Sequence, residues 1–195
     1  MNPSLSIIVD VSGSMNEMGK IHLQRNLCRY AAQLRGVDQE KYADLDIRFY
    51  QWAHDIFEIA LQSDGDIPVL NAEGSSSLNV LSDFLSQNLN NTEKRRAIIL
   101  SDGNFDRNEY EAFLKWKTDK NKIMLTTVAV GGDANLLKLK KISTNNSVHI
   151  SENISSAIDR TIFGSDESFV APISTIQILQ SEPAEIEELG EGWDA

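Results

Sequence analysis

The chain has 195 residues, of which 18 are Lys or Arg and 29 are Asp or Glu, so its formal net charge is −11. Such an acidic chain is a poor candidate for nonspecific nucleic-acid binding, which depends on Lys and Arg neutralising phosphates. No apolar run approaches the roughly 20 residues of a membrane-spanning helix, so no membrane contact is expected. The N-terminus has no secretory signal pattern and Cys28 is the lone cysteine, which predicts a cytoplasmic protein.

The chain begins with a predicted strand and a predicted helix. Residues 4–9 form a short apolar run that ends at Asp10, which is typical of a buried strand. Apolar residues then recur every three or four positions over 20–34, which predicts an amphipathic helix that stops at Gly36.

A predicted hairpin and a second helix follow. Residues 46–52 and 56–61 have strand patterns, and the three residues between them are few enough for an antiparallel hairpin. Residues 62–75 are rich in Ser, Gly and Asp, which indicates a loop. Leucines at helical spacing predict a helix over 77–89.

The second half of the chain repeats the alternation of strands and helices. The predicted strands cover 97–100, 122–130 and 148–150, and the predicted helices cover 109–118, 135–142 and a segment capped by Ser151 that runs to about Phe163. This alternation favours an α/β fold with a mostly parallel sheet and helices on both faces. In such sheets the functional site lies beyond the carboxyl ends of the strands. Asp10 and Asp102 each directly follow an apolar strand, so both are expected at that edge.

The sharpest motif is Asp-Val-Ser-Gly-Ser-Met at residues 10–15, directly after the first predicted strand. Mg²⁺ takes small oxygen ligands in near-octahedral geometry and tends to keep several waters. Ser12 and Ser14, in a loop tightened by Gly13, can direct both hydroxyls at one point, while Asp10 supplies negative charge directly or through water. Taken alone, the pattern fits a simple turn at a strand end equally well.

Two further stretches can complete such a site. Residues 74–77, Gly-Ser-Ser-Ser, precede the second predicted helix, and residues 101–103, Ser-Asp-Gly, follow the next predicted strand. A carboxylate after one strand, hydroxyls before a helix and a second carboxylate after a later strand could converge on one divalent ion.

Together these stretches resemble the von Willebrand factor type A (VWA) domain with its metal-ion-dependent adhesion site (MIDAS). The resemblance covers residues 4 to about 163 and is most specific at residues 10–15 and 100–103. It implies a three-layer, Rossmann-like VWA fold over residues 1–164. In that fold a central six-stranded sheet is parallel except for one antiparallel edge strand, with helices on both faces. The hairpin predicted over 46–61 agrees with this arrangement.

The resemblance also implies a metal site. Its residues would be Asp10, Ser12, Ser14, Ser76 and Asp102. The serines would supply hydroxyl ligands, while the aspartates would hold ligand waters and balance charge. The family usually has Gly-Gly-Thr in the middle stretch, where this chain has Gly-Ser-Ser-Ser at residues 74–77. Ser76 is chosen because Leu78 falls where the family has the first core residue of the helix, and Ser75 is the alternative. The expected cation is Mg²⁺, with Mn²⁺ or Ca²⁺ as alternatives.

The implied function is metal-dependent binding of a protein partner rather than catalysis. In this family one coordination position of the ion is left for a Glu or Asp of the partner. Bacterial-type single-domain members, which this intracellular chain resembles, are often adaptors that work with AAA+ ATPases or with kinases and phosphatases. The loop residues that could touch a partner are Asn16, Glu17, Asn104, Phe105 and Asp106.

Two other functions stay open at this point. The serine in place of threonine in the middle stretch is compatible with a structural subunit whose metal site is vestigial. The other alternative is a metal-dependent phosphohydrolase, because Asp10 after the first strand resembles the start of the haloacid dehalogenases. That family needs a second Asp two positions later as general acid, and this chain has Ser12 there.

Residues 165–195 are predicted to be a C-terminal extension outside the domain. Its last part, 182–195, holds six acidic residues and no basic one. This composition is typical of a flexible, solvated tail. The alternative is a second partner contact, in which Leu189 and Trp193 bind a groove while the carboxylates meet basic residues of the partner.

Overall fold

The structure is a computed structural model that describes residues 3–87, 95–118 and 123–164. Six strands in these ranges form one sheet, in the order β3-β2-β1-β4-β5-β6. They are β1 (Ser4–Asp10), β2 (Asp46–Trp52), β3 (Ile56–Glu58), β4 (Arg95–Ser101), β5 (Ile123–Ala129) and β6 (Val148–Ile150). Neighbouring strands are parallel except for β2 and β3, which are antiparallel. The predicted mostly parallel sheet with one antiparallel edge strand is confirmed.

Helices connect the strands and cover both faces of the sheet. They are α1 (Lys20–Val37), α2 (Gln39–Tyr42), α3 (Leu78–Gln87), α4 (Arg107–Thr118), α5 (Leu136–Ile142) and α6 (Ile154–Phe163). Two short 3₁₀ segments, Gly13–Gly19 and Ser151–Asn153, precede α1 and α6. No helix in the described part of the chain is both long enough and apolar enough to cross a membrane.

The sheet separates two apolar cores because successive side chains of a strand point to opposite faces. On one face Ile7 and Val9 of β1 pack with α1 and α6. On the other face Ile8 of β1 packs with α3, α4 and α5. The central strands are therefore apolar on both sides, which explains why they read as continuous apolar runs in the sequence.

The end predicted for α1 at Gly36 is wrong. The helix continues through Gly36 to Val37, since a glycine inside a helix costs only about 1 kcal/mol relative to alanine. Asp38 ends it instead. The Asp38 carboxylate accepts a hydrogen bond from the Lys41 backbone N–H (3.0 Å), which begins α2.

Several other predicted boundaries also differ from the structure. Strand β3 ends at Glu58 rather than at residue 61, although the Ile59 N–H still donates to the Phe49 carbonyl (2.7 Å). Ser151 does not cap α6: its hydroxyl bonds Glu152, and a 3₁₀ turn separates it from the helix. The predicted extension, 165–195, with its acidic tail, lies outside the described residues, so its separation from the domain stays a prediction.

Candidate metal centre at the carboxyl edge of the sheet

Asp10 lies at the centre of the candidate site. It is the last residue of β1 and is fully buried next to β4, whose last residue is Ser101. The Ser101 hydroxyl donates to Asp10 Oδ2 (2.6 Å), and the Ser12 N–H donates to Asp10 Oδ1 (2.9 Å). The neighbouring strand ends thus fix both oxygens of the carboxylate. The sequence analysis assigned no role to Ser101, because its hydrogen bond joins the ends of two strands that are far apart in the sequence.

Burial makes the charged form of Asp10 unfavourable. Loss of hydration raises the pKa of the Asp10 carboxyl, and hydrogen bonds from Ser101 and Ser12 only partly oppose this rise. The negative charge of Asp102 acts in the same direction as burial. A cation at this edge would relieve both unfavourable effects.

Ser12 and Ser14 bring their hydroxyls together above β1. Their Oγ atoms are 3.3 Å apart, and Ser12 is nearly fully buried. The Met15 N–H donates to the Ser12 carbonyl (2.9 Å), which tightens the turn, and the Met15 side chain is buried below it. The expected convergence of two hydroxyls at a spacing of two is what the structure has.

The loop between β3 and α3 carries the third hydroxyl. Backbone hydrogen bonds join this loop to the first motif: the Gly13 N–H donates to the Gly74 carbonyl (2.9 Å) and the Glu73 N–H to the Val11 carbonyl (2.8 Å). Ser76 is buried, and its Oγ has no hydrogen-bond partner among the described residues. Ser75 is exposed. Because buried hydroxyls are normally satisfied, Ser76 is the better candidate ligand of the two.

Glu109 of α4 holds the start of α3 directly after Ser76. Its carboxylate accepts hydrogen bonds from the Leu78 N–H (2.7 Å) and from the Ser77 hydroxyl (3.1 Å). The free N–H groups of a helix start are thereby satisfied from a different helix. No local sequence signal connects a glutamate to a helix start 31 positions earlier.

Asp102 is the second predicted carboxylate, and it is also buried. Its Oδ1 accepts from the Asn104 N–H (3.0 Å), and its carbonyl accepts from the Asn135 N–H (2.6 Å). Gly103 follows with φ +76°, and a Cβ there would lie 3.0 Å from the Asn135 carbonyl oxygen. Only glycine fits this turn without strain.

Lys20 and Asp133 complete the site, and sequence reasoning missed both. The Lys20 ammonium is 3.0 Å from Asp102 Oδ2 and 2.7 Å from Asp133 Oδ2. Lys20 is 1% exposed, whereas Asp133 is 43% exposed. Burial lowers the pKa of Lys20, but the hydrogen bonds to Asp133 and Asp102 outweigh it, so the net shift is upward. At the sequence level Lys20 looks like an ordinary first residue of a helix.

A cavity of about 300 Å³ opens beside these groups. Its lining residues are Ser14, Glu17, Lys20, Asp102, Asn104, Asp133 and Asn135. Two of the five predicted partner contacts, Glu17 and Asn104, therefore border the site. Asn16 is exposed and donates to the Ala72 carbonyl.

The other two predicted partner contacts have structural roles. Phe105 is 4% exposed and lies against Trp52, with ring centroids 5.9 Å apart, so its prediction as a partner contact is wrong. An aromatic residue directly after a turn gives no sign in the sequence of which way it points. Asp106 is exposed but caps α4, since its Oδ1 accepts from the Asn108 and Glu109 N–H groups.

The donors at this edge are mainly hydroxyls and aspartates. Within the described ranges no group of three or more His, Cys, Asp or Glu side chains is placed to hold a metal. Cys28 lies within α1 and is buried in the core. Oxygen donors of this kind suit hard cations such as Mg²⁺ better than soft ones.

An ion-pair cluster anchors the loop that leads to Ser76. Arg29 makes two hydrogen bonds to the Asp66 carboxylate (2.6 and 2.5 Å), and Arg25 adds a third (3.2 Å). Arg25 also donates to the Ile67 carbonyl. The loop is thus tied to α1, the same helix that carries Lys20.

Asp66→Asn is expected to lower stability at pH 7, and the loss is expected to shrink in acid. Hydrogen bonds from Arg29 lower the pKa of Asp66 from 3.8 to about 2. A depressed folded-state pKa stabilises above the unfolded value and stops stabilising as the pH falls through the folded value. Urea unfolding of both proteins from pH 7 down to the lowest pH at which they fold measures the difference. Asp83→Asn, at an exposed position of α3, is the control. A difference that stays constant below about pH 4 contradicts the prediction.

Comparisons with known proteins find similarity in structure only. No protein-family model matches the chain, and no curated protein matches its sequence. A von Willebrand factor type A protein from Catenulispora acidiphila is similar, with a TM-score of 0.58 and 14% identity, over 80% of this chain and 40% of that one. Proximal thread matrix protein 1 from the mussel byssus, with a zinc-occupied MIDAS motif, has a TM-score of 0.57 and 13% identity, over 83% of this chain and 47% of that one.

A third similar structure is the manganese-loaded TRAP protein of Plasmodium vivax. Its TM-score is 0.53 at 17% identity, over 72% of this chain and 62% of that one. This chain thus spans less than two thirds of the length of each of these three proteins. Together with the strand order of the sheet, the likeness identifies the architecture: the chain has the von Willebrand factor type A fold.

Proposed function

We propose that this protein is a metal-dependent protein-interaction module. In this proposal a divalent cation, Mg²⁺ in the first instance and otherwise Mn²⁺ or Ca²⁺, is held by the predicted set. That set is Asp10, Ser12, Ser14, Ser76 and Asp102. When bound, the cation would coordinate a Glu or Asp carboxylate of the partner. Solved structures with zinc and with manganese among the similar folds support a divalent ion as the ligand class.

The single observation that carries the proposal is the Ser76 hydroxyl. It is buried without a hydrogen-bond partner among the described residues, in a loop tied by backbone hydrogen bonds to the Ser12–Ser14 turn. A buried hydroxyl left unsatisfied costs about 1–3 kcal/mol. A cation or its bound water at this position would remove that cost. The residues present therefore fit the ion that the fold suggests.

The surroundings of the hydroxyls favour binding over catalysis. In the described part of the chain, the Ser12 hydroxyl contacts the Ser14 hydroxyl and the Asp10 carboxylate, whose two oxygens already accept hydrogen bonds from the Ser101 hydroxyl and the Ser12 N–H. The nearby Lys20 ammonium is engaged by two carboxylates. Nucleophilic catalysis needs an activated hydroxyl with a base in reach. We therefore propose a non-enzymatic role.

The proposed partner is a protein that offers an acidic side chain within an intracellular complex. An adaptor to an ATPase, or to a kinase or phosphatase, is the kind of assembly that we propose. The acidic extension, 182–195, would supply a second contact to a basic surface of that assembly. Capturing partners with wild type and with Ser76→Ala, in Mg²⁺ and in EDTA, tests this assignment. A partner retained equally in all four conditions would not use the metal.

Ser76→Ala is expected to weaken Mg²⁺ binding about tenfold or more, because it removes a ligand. Its metal-free stability should stay equal or rise slightly, since the unsatisfied buried hydroxyl is removed. Ser75→Ala, one position away and exposed, is the matched control and should bind Mg²⁺ like wild type. Isothermal titration calorimetry measures both. If Ser75→Ala weakened Mg²⁺ binding and Ser76→Ala did not, Ser75 would be the third hydroxyl ligand.

One observation favours a second candidate, a structural subunit that does not bind metal. Lys20 already supplies a positive charge to Asp102, as a cation would. In that case calorimetry would detect no binding of Mg²⁺ or Mn²⁺ to wild type. The metal-dependent proposal and this one therefore separate in a single titration.

A further inference from the structure

Lys20 is buried in a way that is rare for lysine. Its side chain is 1% exposed at the first position of α1, and its ammonium bridges two aspartates from different loops. Asp102 follows β4 and Asp133 follows β5, so the contact joins three loops at the carboxyl edge of the sheet. Lysine is almost never fully buried unless it is paired.

We infer that Lys20 is a built-in counter-ion that keeps the metal site assembled when no metal is bound, with Asp133 holding the ammonium in place. This inference rests on the proposed metal-binding function and extends it to the metal-free protein. The ammonium neutralises Asp102 at a distance of 3.0 Å and ties the β4–α4 loop to α1. The β1–α1 loop that carries Ser12 and Ser14 ends at the same lysine.

The backbone leaves space for this side chain at Gly131. Gly131 has φ +91°, and a Cβ there would lie 2.8 Å from Lys20 Cε and 2.8 Å from Asp133 Oδ1. Any larger residue would displace the lysine or its partner. The fold therefore provides the space that the Lys20 side chain occupies. Gly131 leaves room for its aliphatic part, and the two aspartates bind its ammonium.

The charges explain how a metal and the ammonium can coexist. Asp10, Asp102, Asp133 and the cavity-lining Glu17 supply four acidic groups at this edge, and Lys20 offsets one of them. Enough negative charge remains to hold a divalent cation. The metal would therefore enter without expelling Lys20, although the nearby positive charge would weaken its binding. Affinity would be moderate, and folding would depend little on the metal.

Opposite charge changes should then have opposite effects on metal affinity. Lys20→Met removes the positive charge and is expected to bind Mg²⁺ about tenfold more tightly than wild type. Asp133→Asn removes a negative charge and is expected to bind about tenfold more weakly. In EDTA both variants should melt at lower temperature than wild type, because the bridge is broken. Mg²⁺ should restore Lys20→Met more than it stabilises wild type.

The experiment combines calorimetry with thermal melting of the full chain, in EDTA and in saturating MgCl₂. Lys41→Met is the matched control: Lys41 pairs with Asp159 on the surface, where α2 meets α6, so its loss should not change metal affinity. Tighter binding by Lys20→Met with weaker binding by Asp133→Asn supports the inference.

If Mg²⁺ affinity changed in the same direction in Lys20→Met and Asp133→Asn, the counter-ion role would be overturned, while the proposed metal-binding function would stand. No binding by wild type, and none by either variant, overturns the proposed function and this inference with it. If Lys20→Met folds only in Mg²⁺, that result supports the inference directly. If it folds in neither condition, Asp133→Asn decides, since unchanged affinity there contradicts the counter-ion role.

Discussion

Replacing both Ser12 and Ser14 by alanine is expected to weaken Mg²⁺ binding at least about 100-fold, because loss of supporting residues alone costs 10–100-fold at metal sites. The two Oγ atoms lie 3.3 Å apart at the carboxyl edge of β1, where a shared cation would take both as ligands. Alanine has no oxygen to replace them. The predicted site has only five ligand or supporting residues, so the loss of two hydroxyls removes a large part of it.

The same double variant should fold almost normally without metal. The Ser12 N–H, which holds Asp10, belongs to the backbone and survives the substitution. In the described part of the chain, the lost side-chain contacts are the one between the two hydroxyls and the one from the Ser12 hydroxyl to Asp10, so stability should fall by about 2 kcal/mol. The expected outcome is therefore a folded protein that does not bind metal.

Ser4→Ala with Ser6→Ala is the matched control, because it repeats the spacing of two at the opposite end of β1. Calorimetry with Mg²⁺ and circular dichroism of the three proteins give the comparison. Wild-type affinity in the Ser12/Ser14 variant would remove both hydroxyls from the site. Should the double variant be unfolded, Ser14→Ala alone carries the test, since Ser14 is less buried.

Trp52→Ala is expected to cost about 3–5 kcal/mol of stability, the largest loss predicted for a single substitution in this protein. Trp52 is fully buried at the end of β2, with its Nε1–H donating to the Ser77 carbonyl (2.8 Å) and its ring against Phe105. Its own carbonyl accepts from the Val11 N–H (2.9 Å). The indole therefore supports two loops of the site, at Ser77 and at Phe105, while the Trp52 backbone supports the third.

Metal binding should weaken together with stability in Trp52→Ala, because the cavity left by the indole frees the Ser76–Ser77 segment. Trp116→Ala is the control: Trp116 is only partly buried and bonds the Ser86 hydroxyl far along α3. It should lose less stability and keep wild-type affinity for Mg²⁺. Urea unfolding and calorimetry measure the two effects. Equal losses in the two tryptophan variants would contradict the special position of Trp52.

The proposed module would bind its partner with few residues, all at one edge of the sheet. The two predicted carboxylates, the three predicted hydroxyls and the Lys20 ammonium lie at one edge of the sheet, and the cavity of about 300 Å³ beside them would admit a side chain of the proposed partner. Loop residues such as Glu17 and Asn104 would then adjust specificity without altering the ion's own ligands. In this proposal the metal is held by residues that directly follow strands or lie in loops bonded to them, so the sheet fixes their main-chain positions.

Local patterns in the sequence determined the order of strands and helices and the edge at which the site lies. The central strands are apolar on both faces, so they appear as uninterrupted apolar runs that end at Asp10 and Ser101. Asp10, Ser12 and Ser14 sit within five residues, which is why one motif was enough to predict them. Their role as metal ligands stays a prediction.

Only the tertiary structure decided which distant residues complete the site. Lys20 meets Asp102 and Asp133 across 82 and 113 positions, and Glu109 reaches the start of α3 from another helix. Burial favours Ser76, the residue already chosen from the sequence, over the exposed Ser75, and it places Phe105 in the core rather than at a partner contact. Sequence patterns record which side of a strand or helix is apolar, whereas the partner of a buried charge is set by how the loops pack.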